Sequence, residues 1–367
     1  MSLGFAVFVV FGACLVLVGT NQEELARDLG LDLAGTGLLG AGLALGIGVG
    51  VAGAGPLADR LPRRPLFVVA GILTGGSLLG FSVDMGFGRA LTQLVLVGVG
   101  IGALETVVNV TVSERRGSNS AKPLLFVHSA ATLGAMLTPF AIALIRPDWT
   151  TTFHITGAAA LLLVAAVAFA KLPNPAPLAP ADRVRPPAGP LLPFLVMGFA
   201  YVGVEATLTL FAVPYASGAL SLTEAQGREA IGFFWTGLLV GRVGLLLVPR
   251  PIGPGFLVAA GLAGAVILLG GIGMRLPQVG LVYTAAGLAM GLVFPVMIAL
   301  TADRFPAARG TATGLVGGAA ALGGFAVPWL SGALGDLIGI GPALASLGFW
   351  CLGFAGAACF TRRSRNA

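Results

Sequence analysis

Charge is what this sequence has least of. Only 10% of its 367 residues are Asp, Glu, Lys or Arg, against about 25% in a soluble domain. A chain so poor in charge cannot cover itself with a water-facing surface, so most of it must face lipid or other helices. Cysteine is scarce too. Cys14, Cys351 and Cys359 each lie inside an apolar run. They have no metal-ligand spacing and form no disulfide frame, which leaves them as small packing residues. Catalytic patterns are missing as well: there is no Gly-x-Ser-x-Gly elbow, no metal-ligand cluster and no phosphate-binding Walker loop. An enzyme is therefore not expected, no cofactor or metal is implied, and no ATP-driven step is available on this chain. The first apolar run, from Leu3 to Thr20, has no basic residue before it and no clear small-residue cleavage site, so it reads as a first span and not as a signal peptide.

What is present is apolar and small. Hydrophobic residues make up 56% of the chain, and there are 57 glycines, which let helix backbones approach closely in a bilayer. Apolar runs of about 20 residues, the length of a spanning helix, recur throughout. They are read at 3–21, 34–58, 65–84, 90–112, 122–146, 152–171, 191–216, 227–248, 254–274, 278–300, 309–335 and 340–361. None shows the alternation of a barrel strand, so all are expected to be helices. The net charge of +6 is unevenly placed. One set of loops holds Arg60, Arg63, Arg64, Arg115, Arg116, Lys122, Lys171, Arg183, Arg185, Arg250, Arg304 and Arg309, with Arg362, Arg363 and Arg365 at the C-terminus. The opposite set holds only Arg27, Arg89, Arg146, Arg228 and Arg275, with most of the acids. Excess basic residues mark the cytoplasmic side. Both termini are thus expected inside a cell (inner) membrane, and the basic balance reflects topology, not nucleic-acid binding.

One segment breaks the pattern. Residues 172–190 include Pro173, Pro175, Pro177, Pro180, Pro186, Pro187 and Pro190, so the stretch reads as an extended, semi-rigid linker. It separates an N-terminal bundle, 1–171, from a C-terminal bundle, 191–367. The halves echo each other. Gly55 to Arg60 and Gly237 to Arg242 place Gly and Arg at one spacing, and Glu114-Arg115 is matched by Asp303-Arg304, as expected of an internal repeat. The expected fold is an all-α membrane protein with twelve transmembrane helices in two six-helix pseudo-symmetric bundles. Gly55 to Arg64 resembles the signature loop of the major facilitator superfamily, Gly-x-Leu-x-Asp-Arg-x-Gly-Arg-Arg, with Pro62 in place of the second Gly. The resemblance implies a transporter working by alternating access. It also implies that Asp59, with Arg60, Arg64, Arg115 and Arg242 near the same face, gates the cytoplasmic end. Asp59 can accept hydrogen bonds from a helix N-terminus and pair with an Arg such as Arg115.

An ionisable group facing lipid costs at least about 2.5 kcal/mol. Glu105 and Glu205 lie inside spans, so they should face a cavity between the halves. Asn109 is one turn from Glu105 on the same face. Burial favours the protonated form of a carboxyl, so Glu105 can take up and release a proton, and bind a polar solute when ionised. The competing reading is a structural carboxyl paired with another helix. Asn109 is a solute contact or interhelical glue. His128 is a solute contact, a proton relay or a packing residue, while His154 sits at the outer end of its span, in solvent. Gly203 is placed to loosen the helix around Glu205. Phe233, Phe234 and Trp235 offer an aromatic face on which a sugar ring can stack, with Trp235 the candidate contact.

Together these segments, with Tyr201 to Glu205 and Gly291 to Pro295, resemble the fucose–galactose–glucose:proton symporter branch, closest to its bacterial glucose/mannose:proton members. That resemblance implies a monosaccharide substrate and proton coupling. It puts the proton-linked acid at Glu105 and the span-seven acid at Glu205. The fucose members carry a further acid in span one. Here Glu23 and Glu24 fall in the loop after it, which leaves a single titrating group or facilitated diffusion open. Two other readings stand beside it: a proton-driven exporter of drugs or metabolites, and a non-transporting membrane sensor. The sensor would need a partner domain or long tail, and the chain stops a few residues after span twelve. A monomer suffices for the fold.

Overall fold

The computed structural model describes residues 2–58, 60–116, 121–145, 147–167, 185–246 and 253–363. They are helical almost throughout. The first six spans are α1 (Ser2–Thr20), α3 (Leu33–Ala58), α4 (Arg63–Leu79), α5 (Phe87–Arg116), α6 (Ala121–Ile145) and α7 (Trp149–Val167). A short helix, α2 (Gln22–Leu29), follows α1. The second six begin with α8 (Ala188–Pro214), which ends in a π-helical turn, Tyr215–Ala219. Next come α9 (Glu224–Leu246) and α10 (Pro254–Val266), the latter continued by a π turn, Ile267–Ile272. Span ten is divided into α11 (Val279–Met290) and α12 (Val293–Arg304). Span eleven is α13 (Arg309–Ile338), and span twelve is split into α14 (Ile340–Ala345) and α15 (Leu347–Arg363). The chain is an all-α membrane protein of twelve transmembrane helices, six on either side of residues 168–184. Most of the Pro-rich stretch 172–190 lies outside the described residues.

Ten of the spans are long and apolar enough to cross a membrane on length and composition alone. The other two have clear reasons to fall short. Helix α4 has only 17 residues. Helix α9 carries four charged residues, Glu224, Arg228, Glu229 and Arg242, of which Arg228 and Arg242 reach across to the other half.

The helices pair by a repeated rule. Helix α3 packs on α5 as α9 packs on α11, α1 on α6 as α8 on α13, and α4 on α7 as α10 on α15. Between the halves, α3 meets α13 and α6 meets α9. Glycines set the seams. A Cβ on Gly46 or Gly98 would strike the α5 or α3 backbone carbonyl of Val95 or Leu43, and one on Gly237 or Gly287 would strike Thr284 or Phe234. Gly12 and Gly134 hold α1 on α6 in this way, and Gly323 holds α13 on α8. Backbone contact at glycine substitutes for the hydrophobic drive that lipid removes.

These seams correct the sequence alignment of the halves. Gly46 and Gly50 in α3 are the counterparts of Gly237 and Gly241 in α9, so Val51, not Arg60, stands opposite Arg242. Helix α3 stops at Ala58, and Arg60 is exposed in the turn beyond it. Helix α9 runs on to Leu246, so Arg242 is inside a helix. Two more expectations change. Gly203 lies in an uninterrupted α8, where it admits Val327 of α13 and loosens nothing. His154 is partly buried and bonded to the Phe81 carbonyl at 2.8 Å, so it is not simply solvated.

The two ends of the bundle differ. The end holding both termini is called proximal here, the other distal. At the distal end the halves are tied together. Asp336 of α13 accepts from the Leu33 and Ala34 N–H groups at 3.0 and 2.8 Å, and so caps α3 from across the interface. Moving toward the proximal end, a Cβ on Gly324 would lie 3.4 Å from Ala44 and one on Gly48 3.1 Å from Ala321. Past that level α3 and α13 part: nothing lies within 4 Å of a Cβ on Gly55, Gly310, Gly314, Gly317 or Gly318. The cleft between the halves is therefore shut distally and open proximally.

Candidate functional site

The polar side chains of the spans converge where α5 and α6 of one half face α8 and α9 of the other. On α5, Glu105 and Asn109 lie one turn apart and interact through their side chains. Asn109 Oδ1 meets His128 Nε2 of α6 at 3.1 Å. The Phe8 ring packs edge-on against that imidazole, with centroids 4.6 Å apart. One turn beyond His128, the Thr132 hydroxyl accepts a bond from Arg242 of α9 at 2.5 Å. The Arg242 guanidinium thus crosses the cleft. It acts electrostatically on His128 in the first half and on Glu205 and Tyr201 in the second. Glu205 and Tyr201 are one turn apart on α8 and also interact with each other.

This cluster is not satisfied by the protein. Glu205 Oε2, the Tyr201 hydroxyl, Arg242 Nε and Trp235 Nε1 are each shielded from solvent and make no well-formed hydrogen bond, although Tyr201 lies beside both Glu205 and Arg242. An unpaired buried polar group costs about 1–3 kcal/mol, so four together mark a place built for something else to bind. They supply donors (Arg242, Trp235, Tyr201) and an acceptor (Glu205), the complement a polyhydroxylated solute needs.

The structure treats the sequence candidates unequally. Glu105, Asn109, His128 and Glu205 share one cleft and are half-buried. Trp235 is 3% exposed, with only its N–H unpaired. The expected aromatic face does not exist as one surface, because consecutive residues on a helix point about 100° apart. Phe233 turns across to Phe140 of the other half, with centroids 5.3 Å apart. Phe234 turns inward toward Tyr283. Among the gating candidates, Arg60 and Arg64 are exposed at the proximal end, while Asp59 and the Arg115 side chain lie outside the described residues. Arg242 was expected at that gate and instead lies in the cleft. The sequence reading missed Thr132, although its place one turn after His128 puts it on the same face. Arg63, read from the sequence only as a loop cation, is 1% exposed beside its exposed neighbour Arg64.

Residues 3–284 match the family model of the Major Facilitator Superfamily. The chain belongs to this superfamily. Among curated relatives, the probable nitrate/nitrite transporter NarK2 of Mycobacterium tuberculosis is 28% identical over 87% of this chain and 85% of its own length. The glucose/galactose transporter of Brucella abortus is 31% identical over a shorter stretch, 40% of this chain and 37% of that protein. Among solved structures, a D-xylose-proton symporter superposes with a TM-score of 0.78 at 16% identity, covering 98% of this chain and 96% of that one. As a member of the Major Facilitator Superfamily, the protein is a multi-pass membrane transporter of a solute and not an enzyme.

Proposed function

We propose that this transporter takes up a monosaccharide together with protons, by alternating access, across a cell (inner) membrane. The observation that carries the reading is the cluster of unpaired polar atoms at Tyr201, Glu205, Trp235 and Arg242, facing Glu105, Asn109 and His128 across the open cleft. In this reading Glu105 is the proton-linked carboxyl. Asn109, His128, Glu205 and Trp235 contact the solute. Residues 1–171 and 191–367 rock about the site as a monomer, joined by 172–190. Asp59, Arg60, Arg64 and Arg115 close the proximal end. The basic residues at that end, Arg60, Arg64, Arg185, Arg304 and Arg309, support placing it and both termini in the cytoplasm. The cleft as described is then inward-open.

A second reading has its own support. Arg242 brings a cationic group into the cleft, and the relative covering more of the chain is named for nitrate and nitrite. A small anion is thus the rival solute. Against it, two carboxylates line the same cleft, and Arg242 already faces Glu205. The deciding experiment is uptake into proteoliposomes, with and without an imposed proton gradient. The panel is glucose, galactose, mannose, xylose and fucose, with nitrate as the anion. A sugar is expected to accumulate only with the gradient. Glu105→Gln is expected to abolish that accumulation while retaining exchange of solute across the membrane. Gradient-driven uptake at the wild-type level in Glu105→Gln would remove Glu105 from the mechanism, and nitrate uptake alone would replace the sugar reading.

A further inference from the structure

The distal closure contains a charge arrangement that the central cleft does not explain. Helix α2 was expected to be loop. It is instead an amphipathic helix lying past the end of α1, and it sets two acids, Glu23 and Glu24, against the second half. Glu24 accepts from Arg228 of α9 at 2.8 Å and from the Trp149 N–H at 3.1 Å. Asp28 accepts from Trp149 Nε1 at 2.7 Å. Arg228 also donates to Glu224 at 2.9 Å and, through Nε, to the Thr20 carbonyl at 3.0 Å. Its side chain is only 8% exposed. One buried guanidinium therefore serves two carboxylates, and a third stands beside them. That third is Glu23, which receives the Ser217 hydroxyl and stands close to the Glu224 carboxyl.

Three carboxyl groups crowded around one buried guanidinium repel one another when all are ionised, so one of them favours holding a proton. We propose that the Glu23–Glu224 pair is a second proton-binding site, which keeps the distal end shut while a proton bridges it and lets the halves part when that proton leaves. The proton comes from, and returns to, the water on the distal side. Every member of the contact bridges the halves: Glu23 belongs to the first, Ser217 and Glu224 to the second.

The surroundings favour this sign. Burial pushes the Glu23 carboxyl above the usual range, with Glu224 adding to it, while the Ser217 hydroxyl and Arg228 pull the other way. In an open, hydrated vestibule the group would return to its ordinary range. A carboxyl that holds its proton more tightly when closed favours closure at low pH, and that advantage is lost as pH rises through its closed-state value. The other facing groups do not supply the switch. Helices α1 and α3, both packed on α2, carry no charged residue, and the one acid of α8, Glu205, lies in the central cleft. Asp148, ahead of Trp149, is held down at about 2 by the Thr150 hydroxyl and the Thr151 N–H and hydroxyl, and stays charged. Arg27 pairs with Asp28 at 3.5 Å. Arg275 acts on Tyr215.

The inference needs only the alternating-access part of the proposed function, and its test needs no solute. Spin labels at Val83→Cys and Met274→Cys, both exposed at the distal end of opposite halves, are placed in a Cys359→Ser background, since Cys14 and Cys351 are buried. Distances are then read by pulsed electron paramagnetic resonance in lipid nanodiscs over a range of pH. The short-distance population should dominate at low pH and fall as pH rises. Glu23→Gln, which mimics the protonated side chain, should stay short at every pH. Ser217→Ala removes a bond that favours the carboxylate, so its midpoint should move to higher pH. Glu105→Gln should leave the distal titration intact, which separates this site from the central one. A wild-type distance that ignores pH overturns the proposal. So does a Glu23→Gln variant that titrates like wild type, a Ser217→Ala midpoint that stays or falls, or loss of the titration in Glu105→Gln.

Discussion

At the scale of single residues, Arg242 does what a lysine cannot. Its planar guanidinium reaches Thr132 in the other half at 2.5 Å while keeping Nε free in the cleft. A lysine would keep the charge and lose the fork. Hydrogen bonds to charged groups contribute about 1.5–3 kcal/mol. Arg242→Lys is therefore expected to lower transport of the accepted solute roughly tenfold or more. Thr132→Ala should act in the same direction, and the double variant should lose less than the two effects combined, because the residues share one interaction. Initial uptake rates for the three variants check this; independent, additive losses would mean that the contact is incidental. The presence of carboxyls inside spans was readable from the sequence, since Glu105 and Glu205 interrupt apolar runs. Their common cleft was not, because it depends on how α5 and α8 are turned about their axes.

At the scale of helices, glycine decides where they touch. Gly287 of α11 sits where any Cβ would strike the Phe234 carbonyl of α9, whereas Gly318 of α13 has nothing within 4 Å. Alanine is the better helix former by about 0.8–1 kcal/mol, so Gly318→Ala should leave thermal stability unchanged or raise it. Gly287→Ala should lower it, since overpacking costs about 1–3 kcal/mol. Melting of the purified variants, followed by tryptophan fluorescence, compares the two; equal melting temperatures would mean the α9–α11 seam yields freely. Span limits were legible because hydrocarbon thickness fixes run length. The repeat was legible only as a repeat. Its register was misplaced, because the Gly–Arg spacing shared by Gly55 to Arg60 and Gly237 to Arg242 was matched in place of the packing seams.

At the scale of the whole molecule, the distal ties stand against a parted proximal end, so their strength sets the balance between two arrangements of the halves. Asp336 gives two bonds and a negative charge to the N-terminus of α3, a placement that contributes about 0.3–1 kcal/mol and up to about 2 when partly buried. Asp336→Asn should shift the population away from the proximally open form by a factor of a few. An impermeant maleimide on Ala52→Cys, exposed on α3 one turn past Gly48, in the Cys359→Ser background reports this as slower labelling from the proximal side. An unchanged rate would show that the cap does not bear on the balance. The sequence pointed to Asp336 only as an acid on the poorly basic side, with no sign that it caps a helix some 300 positions away.

Composition and run length alone determined that the chain is helical, spans a membrane twelve times and repeats itself. They do so because lipid forbids unpaired backbone and limits span length, and both constraints act on local sequence. Tertiary structure alone decided that Arg242 bridges the cleft, that Glu23 meets Glu224, and that the cleft is open at one end. Those facts depend on helix rotation, on glycine seams and on contacts between residues far apart in the chain, none of which leaves a periodic mark in the sequence.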